Sequence, residues 1–365
     1  MDKKFVMGIA AMAALTLVSC SSDDLDSFSD NSSKNEAISF DGYLGRSAVA
    51  VNGTRGSVET KETLKTNGFA VFGKYTPTEG QPSDFFDNQK VTYSTTTSKW
   101  TYTPLRYWPT NGKIDFFAYA PHKEGQKLKS NTTTFDFTVD KDIAKQKDLL
   151  WANATGQITG KFEGTTKEKV TFLFKHALSR LGYTVKLSGD YKSSDATFTL
   201  KKITLAGSAP ESTTKAFYTG GTIDLSTGNW TSKDATKQDF EWFSGTYQNL
   251  SPTASHPTDP DSKSDYLFVI PQDFSLTTEG ADKLYVIVEY DVTYKSSTPS
   301  TTITNTVYKK LPIKFEQGKA YMLNLTIGLP IEFDIDVETV SGVEDWDPKD
   351  GTPTDIDSWD DISRK

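Results

Sequence analysis

The chain has 365 residues, 36% of them hydrophobic and 12% aromatic, which supplies enough apolar surface for two or more cores. Its formal net charge of -8 excludes the basic face that nucleic acid or anionic headgroups need. A single cysteine, Cys20, excludes an intrachain disulfide, and the three histidines, His122, His176 and His256, have no metal-ligand spacing.

The chain opens with Lys3 and Lys4, then an apolar core from Phe5 to Val18 that is too short for a finished membrane anchor, ending in Leu17-Val18-Ser19-Cys20. This resembles a bacterial lipobox, in which residues 1–19 are the signal peptide and Cys20 is acylated after cleavage. Each buried methylene of such an acyl chain adds about 0.8 kcal/mol of anchoring. The expected partners at this end are the lipoprotein processing machinery and, through palmitate-type lipid, the outer membrane. Residues 20–36 form an acidic tether. Its Asp23, Asp24 and Asp26 resemble the surface-export signal of Bacteroidota lipoproteins.

A first strand is expected over Ala37 to Gly45, with Ile38, Phe40 and Leu44 on one face. Gly45 to Lys65 reads as a loop and carries Arg46 and Arg55. Short runs rich in Val, Ile, Thr, Tyr and Phe follow at Phe69–Tyr75, Lys99–Tyr102, Ile114–Tyr119, Thr134–Val139, Val170–Phe174 and Gly182–Leu187. Others lie at Phe198–Leu205, Tyr266–Ile270, Leu284–Tyr294 and Tyr321–Ile327, with Thr, Ser, Gly and Pro between them. That pattern predicts an all-β chain of two antiparallel sandwiches. Helix is expected only as two turns over Asp140–Asp148 and one over His176–Arg180. The Gly/Thr/Lys-rich stretch between Trp151 and Lys169 marks the domain boundary, giving an N-terminal sandwich over 37–165 and a C-terminal one over 166–346, before an acidic tail over 347–365.

The last run is the most regular. From Ile331 to Glu338 apolar Ile331, Phe333, Ile335 and Val337 alternate with acidic Glu332, Asp334, Asp336 and Glu338. One face of such a strand needs a groove and the other needs water. Two readings stand: an ordinary edge strand whose acids deter pairing with foreign edges, or a strand given to a neighbouring molecule.

Residues for catalysis are not assembled by the sequence. His176 sits between core residues and reads as structural, His122 at a strand end as solvated, and His256 as a loop residue. Asp345 to Gly351 resembles a calcium loop, but Lys349 stands where a ligand oxygen is needed and no glutamate closes the site. Tyr107, Trp108 and Trp230 could stack on sugar, but core packing is the ordinary use of such residues in sandwiches. No cofactor, metal or enzymatic activity is expected.

Several stretches together resemble the fimbrillin-like proteins of Bacteroidota. They are Ile38-Ser39-Phe40, Thr54-Arg55-Gly56, Asn67 to Phe72, Tyr107-Trp108-Pro109, Ile114 to Pro121, Asp148 to Ala152, Phe174 to Leu181, Gly318 to Tyr321 with Leu323, Leu325 and Ile327, and Val343 to Trp346. The resemblance implies two transthyretin-like or immunoglobulin-like sandwiches in a type V pilus subunit serving adhesion. It also implies that an arginine-directed protease removes the N-terminal segment with its first strand, and that a strand from another subunit fills the vacancy, head to tail. In those terms the displaced strand carries Ile38, Phe40 and Leu44, and the cleavage residue is Arg55, or else Arg46. The donor strand carries Ile331, Phe333, Ile335 and Val337, and could extend through Val340, Val343 and Trp346. A host or bacterial surface ligand is a further partner. The alternative function is a surface lipoprotein that binds glycans for nutrient capture and keeps its lipid and first strand.

Overall fold

β-branched and aromatic runs separated by turn residues fold as strands because their side chains pack on a pleated, half-buried surface. The computed structural model describes residues 37–44, 58–158, 169–191, 193, 195–257, 266–296, 298–329 and 331–339. Cys20, Arg46, Arg55, Val340, Val343, Trp346 and the tail over 347–365 lie outside them. The first half holds β1 (Phe40–Leu44), α1 (Lys61–Asn67), β2 (Phe69–Thr76), β3 (Ser83–Ser94), β4 (Lys99–Thr101), β5 (Lys113–Ala120), β6 (Thr134–Thr138), β7 (Leu150–Ile158) and β8 (Val170–His176). Next come β9 (Ser179–Leu187), β10 (Ala196–Ala206), β11 (Phe217–Tyr218), β12 (Gly220–Asp224), β13 (Trp230–Lys233), β14 (Lys237–Gln238) and β15 (Phe240–Tyr247). The remainder is β16 (Leu267–Val269), β17 (Gln272–Asp273), β18 (Tyr285–Tyr294), β19 (Thr301–Lys310), β20 (Lys314–Phe315), β21 (Ala320–Gly328) and β22 (Glu332–Thr339). The chain is all-β, as its sequence predicts.

Three local expectations fail. The stretch read as a loop ends inside α1, which is capped by Thr60. The Thr63 N–H donates to Thr60 Oγ1 at 3.2 Å, and the Thr60 N–H donates to Thr63 Oγ1 at 2.6 Å. Gly68, at φ +71, ends the helix. Leu64 is its one buried residue, so the helix leaves almost no amphipathic signature. The turn of helix expected over His176–Arg180 is instead the junction of β8 and β9, and Asp140–Asp148 contributes only a 3-10 turn at Ile143–Lys145.

A seven-stranded sheet runs in the order β1-β8-β7-β5-β2-β3-β4. Its centre is covered on both faces. Phe69, Val71, Phe116 and Ala118 enter one core, while Ala70, Phe72, Phe117 and Tyr119 enter the other. Burial on both faces explains why Phe69–Phe72 and Phe116–Ala120 are continuous apolar runs and not alternating ones. The second core lies among two four-stranded sheets, β15-β10-β18-β19 and β16-β9-β21-β22, whose inward rows include Leu200, Ile203, Val286 and Val288 on one and Leu181, Val185, Leu323 and Leu325 on the other.

The two halves interlock. β6, from the first half, pairs with β12 from the second, Phe135 opposite Ile223. β8, beyond residue 165, pairs with β1 and β7 in the first sheet, so a cut at 165 would part it from its partners. Most ladders are antiparallel, but β1 with β8 and β9 with β21 are parallel.

Candidate functional site

One edge of the fold is formed by β1. It is the outermost strand of its sheet, paired with β8 from Phe40 opposite Val170 to Leu44 opposite Phe174. The alternation of its sequence turns Ile38, Phe40 and Leu44 inward, where Phe40 is 2% exposed. The floor beneath is aromatic. The Phe40 ring lies 5.3 Å from Tyr102, 5.5 Å from Phe86 and Phe116, and 5.8 Å from Phe172. Edge-on and tilted ring pairs at these distances add to the burial energy.

The approach to β1 is pinned by polar groups from the chain between β4 and β5. The Ile38 N–H donates to the Arg106 carbonyl at 2.8 Å, and the Tyr102 hydroxyl donates to the Ile38 carbonyl at 2.8 Å. On the outer face Asp41 stands 3.9 Å from Lys169, an exposed pair of small energetic value. The strand is thus held mainly by three apolar side chains and one ladder.

A buried polar cluster sits between α1 and the strands β7 and β8. His176 Nδ1 is 2.6 Å from Asp148 Oδ2, with both side chains fully covered. The Glu59 N–H donates to the same carboxylate oxygen at 3.2 Å. Glu59 itself is 1% exposed and accepts from the Thr63 hydroxyl at 3.0 Å and the Asn67 amide at 2.7 Å. Burial, reinforced by the neighbouring Asp148 charge, pushes the Glu59 carboxyl up to about 7. The cluster ties Val58–Thr60 to the ends of β7 and β8. It joins two of the stretches that carry the family resemblance, one holding Asp148 and the other His176.

At the far end β22 is also an edge strand, paired along its length with β21, Phe333 opposite Ile327 and Val337 opposite Leu323. Phe333, Ile335 and Val337 are only half-buried against the second core, and Ile331 is 65% exposed. The acidic face looks outward. Asp334 is paired with Lys309 of β19, whose hydrogen bond holds its carboxyl below the usual range.

The remaining sequence candidates fall as follows. Trp108 is buried in the first core, Tyr107 is half-exposed, and the half-buried Trp230 donates its indole N–H to the Ala177 carbonyl at 2.8 Å. His176 is buried, as expected. His122, read as solvated, has only 6% of its side chain exposed, and burial draws its imidazole below the usual value. His256 lies with its ring 4.6 Å from Tyr183. Among the described residues no group of three or more His, Cys, Asp or Glu is placed to hold a metal, and no helix is long and apolar enough to cross a membrane. The sequence shows β1 as a strand but not its floor, because Phe86, Tyr102, Phe116 and Phe172 converge only through the sheet order.

Comparison with known proteins agrees with this architecture. A family model described as fimbrillin-like matches residues 54–346. The chain is 27% identical to a fimbrium subunit, Fim1C of Phocaeicola vulgatus, over 87% of this chain and 91% of that one. It is also similar to the crystal structure of a fimbrial protein from Bacteroides vulgatus, with a TM-score of 0.53 and 20% identity over 84% of this chain and 99% of that one. The match covers every strand from β2 to β22 but not β1, and the chain belongs to the fimbrillin-like family.

Proposed function

We propose that this chain is a subunit of a surface fimbria that polymerises head to tail by exchanging strands. The precursor is anchored through Cys20, a protease cuts at Arg55 or Arg46, and β1 leaves with the N-terminal segment. A strand from another subunit then enters the groove. A heterologous contact that does not close on itself builds a fibre, and the fibre serves adhesion.

The observation that carries this reading is the seat of β1. Its Phe40 and Leu44, with Ile38 just before it, are buried at the edge of a sheet, and Arg46 and then Arg55 come after it in the sequence. Its loss would uncover about 6 kcal/mol of apolar burial at roughly 2 kcal/mol per side chain. An open ladder and an open aromatic floor of that size are a strong drive for strand addition. β22 supports the donor role differently. Its three apolar side chains are half-buried at home, so lending them costs about half of what full burial in a groove would return.

Limited digestion of the purified precursor with trypsin, followed by an unboiled denaturing gel, tests the proposal. The expected result is one N-terminal trim at Arg55 or Arg46 and then, once sister subunits are added, a ladder of polymers. Trimmed protein that stays monomeric at high concentration, alone or with its sister subunits, would rule the proposal out.

A further inference from the structure

The groove under β1 is not uniform along its length. β1 turns four positions inward, at 38, 40, 42 and 44, but the third is Gly42. A Cβ placed there would lie 3.0 Å from Phe69 Cε1 and 3.3 Å from Phe174 Cε2. Those two rings stand 5.3 Å apart and close the floor at that point. The backbone at Gly42 is not in the left-handed region, so the glycine is there for space and not for conformation.

β22 carries a close copy of the β1 pattern. Ile38-Ser39-Phe40-Asp41-Gly42-Tyr43-Leu44 aligns with Ile331-Glu332-Phe333-Asp334-Ile335-Asp336-Val337. Isoleucine, phenylalanine and aspartate coincide, and leucine is matched by valine. The one mismatch on the inward face is Ile335 in the place of Gly42. Sliding the strand by two residues, or reversing it, only exchanges Ile335 for Val337, Phe333 or Ile331 at that place. Gly42 is half-buried, yet every register puts a branched or aromatic side chain against Phe69 and Phe174 where a Cβ alone is already tight, and overpacking such a position forces rotamer and backbone shifts.

We propose that the Gly42 position is a selectivity notch. The groove admits a foreign strand with apolar residues at the first, second and fourth inward places and a glycine at the third, and it discriminates against the chain's own β22. The partner that fills it is therefore a different subunit, one whose donor strand reads apolar-x-aromatic-acid-glycine-x-aliphatic. The acid before the glycine keeps the outer contact that Asp41 makes with Lys169. Homopolymers of this chain are disfavoured by the same notch that selects the partner. The inference rests on the strand-exchange reading above.

The test uses precursor nicked by trypsin, with its strand released in mild urea, and labelled peptides counted by native mass spectrometry. Four peptides are compared: residues 36–44, the same with Gly42→Ile, residues 331–339, and the same with Ile335→Gly. The first is expected to bind at least ten-fold more tightly than its Gly42→Ile form. The Ile335→Gly peptide is expected to gain at least ten-fold, about 1.4 kcal/mol, over the native β22 peptide. In the full chain, Ile335→Gly is expected to lengthen homopolymer ladders. Capture of residues 36–44 with no difference within either pair would overturn the notch and leave strand exchange standing. Capture of no peptide, β1's own sequence included, would overturn strand exchange and the notch with it.

Discussion

Glu59 shows how a single residue couples the stretch before α1 to the core. Its carboxyl titrates near 4.5 when unfolded and at about 7 when buried beside Asp148. Between those values the unfolded chain has released a proton that the folded chain still holds, so stability falls as pH rises through that window. The difference corresponds to about 3 kcal/mol. Glu59→Gln removes this titration and keeps most of the shape. The melting temperature of the wild-type precursor, relative to Glu59→Gln, is expected to drop from pH 5 to pH 7.5. Parallel melting curves across that range would contradict the burial of the charge. The residues that make this cluster were visible one at a time, His176 as a structural histidine and Asp148 within a familiar stretch. Their meeting was not visible, since a polar contact spanning 89 residues leaves no local signal.

At the scale of elements, alternation was the most readable feature. β1 and β22 both follow it, and both are edges. What alternation could not show is depth: β1 is sealed in a core, whereas β22 is half open. α1 went unread because its sequence offers one buried apolar residue and a cap made of threonines. The parallel pairing of β1 with β8 went unread because residues 40 and 170 are joined only by the sheet order. The difference in depth yields two expectations. Phe40→Ala should destabilise the intact precursor by about 3–5 kcal/mol in urea titration. It should leave the length of polymers made after trimming unchanged, since the side chain has then departed. Loss of β22, by deleting residues 331–365 or by Phe333→Asp, should abolish donation to sister subunits while the groove still accepts a strand. Unchanged ladders from a folded deletion variant would rule β22 out as donor.

For the whole molecule, the class was legible and the partition was not. Many short β-rich runs in a chain with little helix point to sandwiches, and the fold is all-β. A boundary near residue 165 followed from a Gly/Thr/Lys-rich stretch, but β8 lies past it in the first sheet and β6 lies before it beside β12. Interlocking has a consequence for assembly. With the halves tied through β6, β12 and the two-faced β2 and β5, departure of β1 leaves the ladders from β7 to β4 intact, while β8 keeps only its pairing with Leu150 and Trp151 of β7. The most direct measurement is peptide mapping by mass spectrometry of polymer bands cut from an unboiled gel. Subunits within the polymer are predicted to begin at Ser47 or Gly56 and to contain no peptide from residues 37–44. Polymers in which those residues are retained in equal amount with the rest of the chain would contradict strand exchange at the β1 groove.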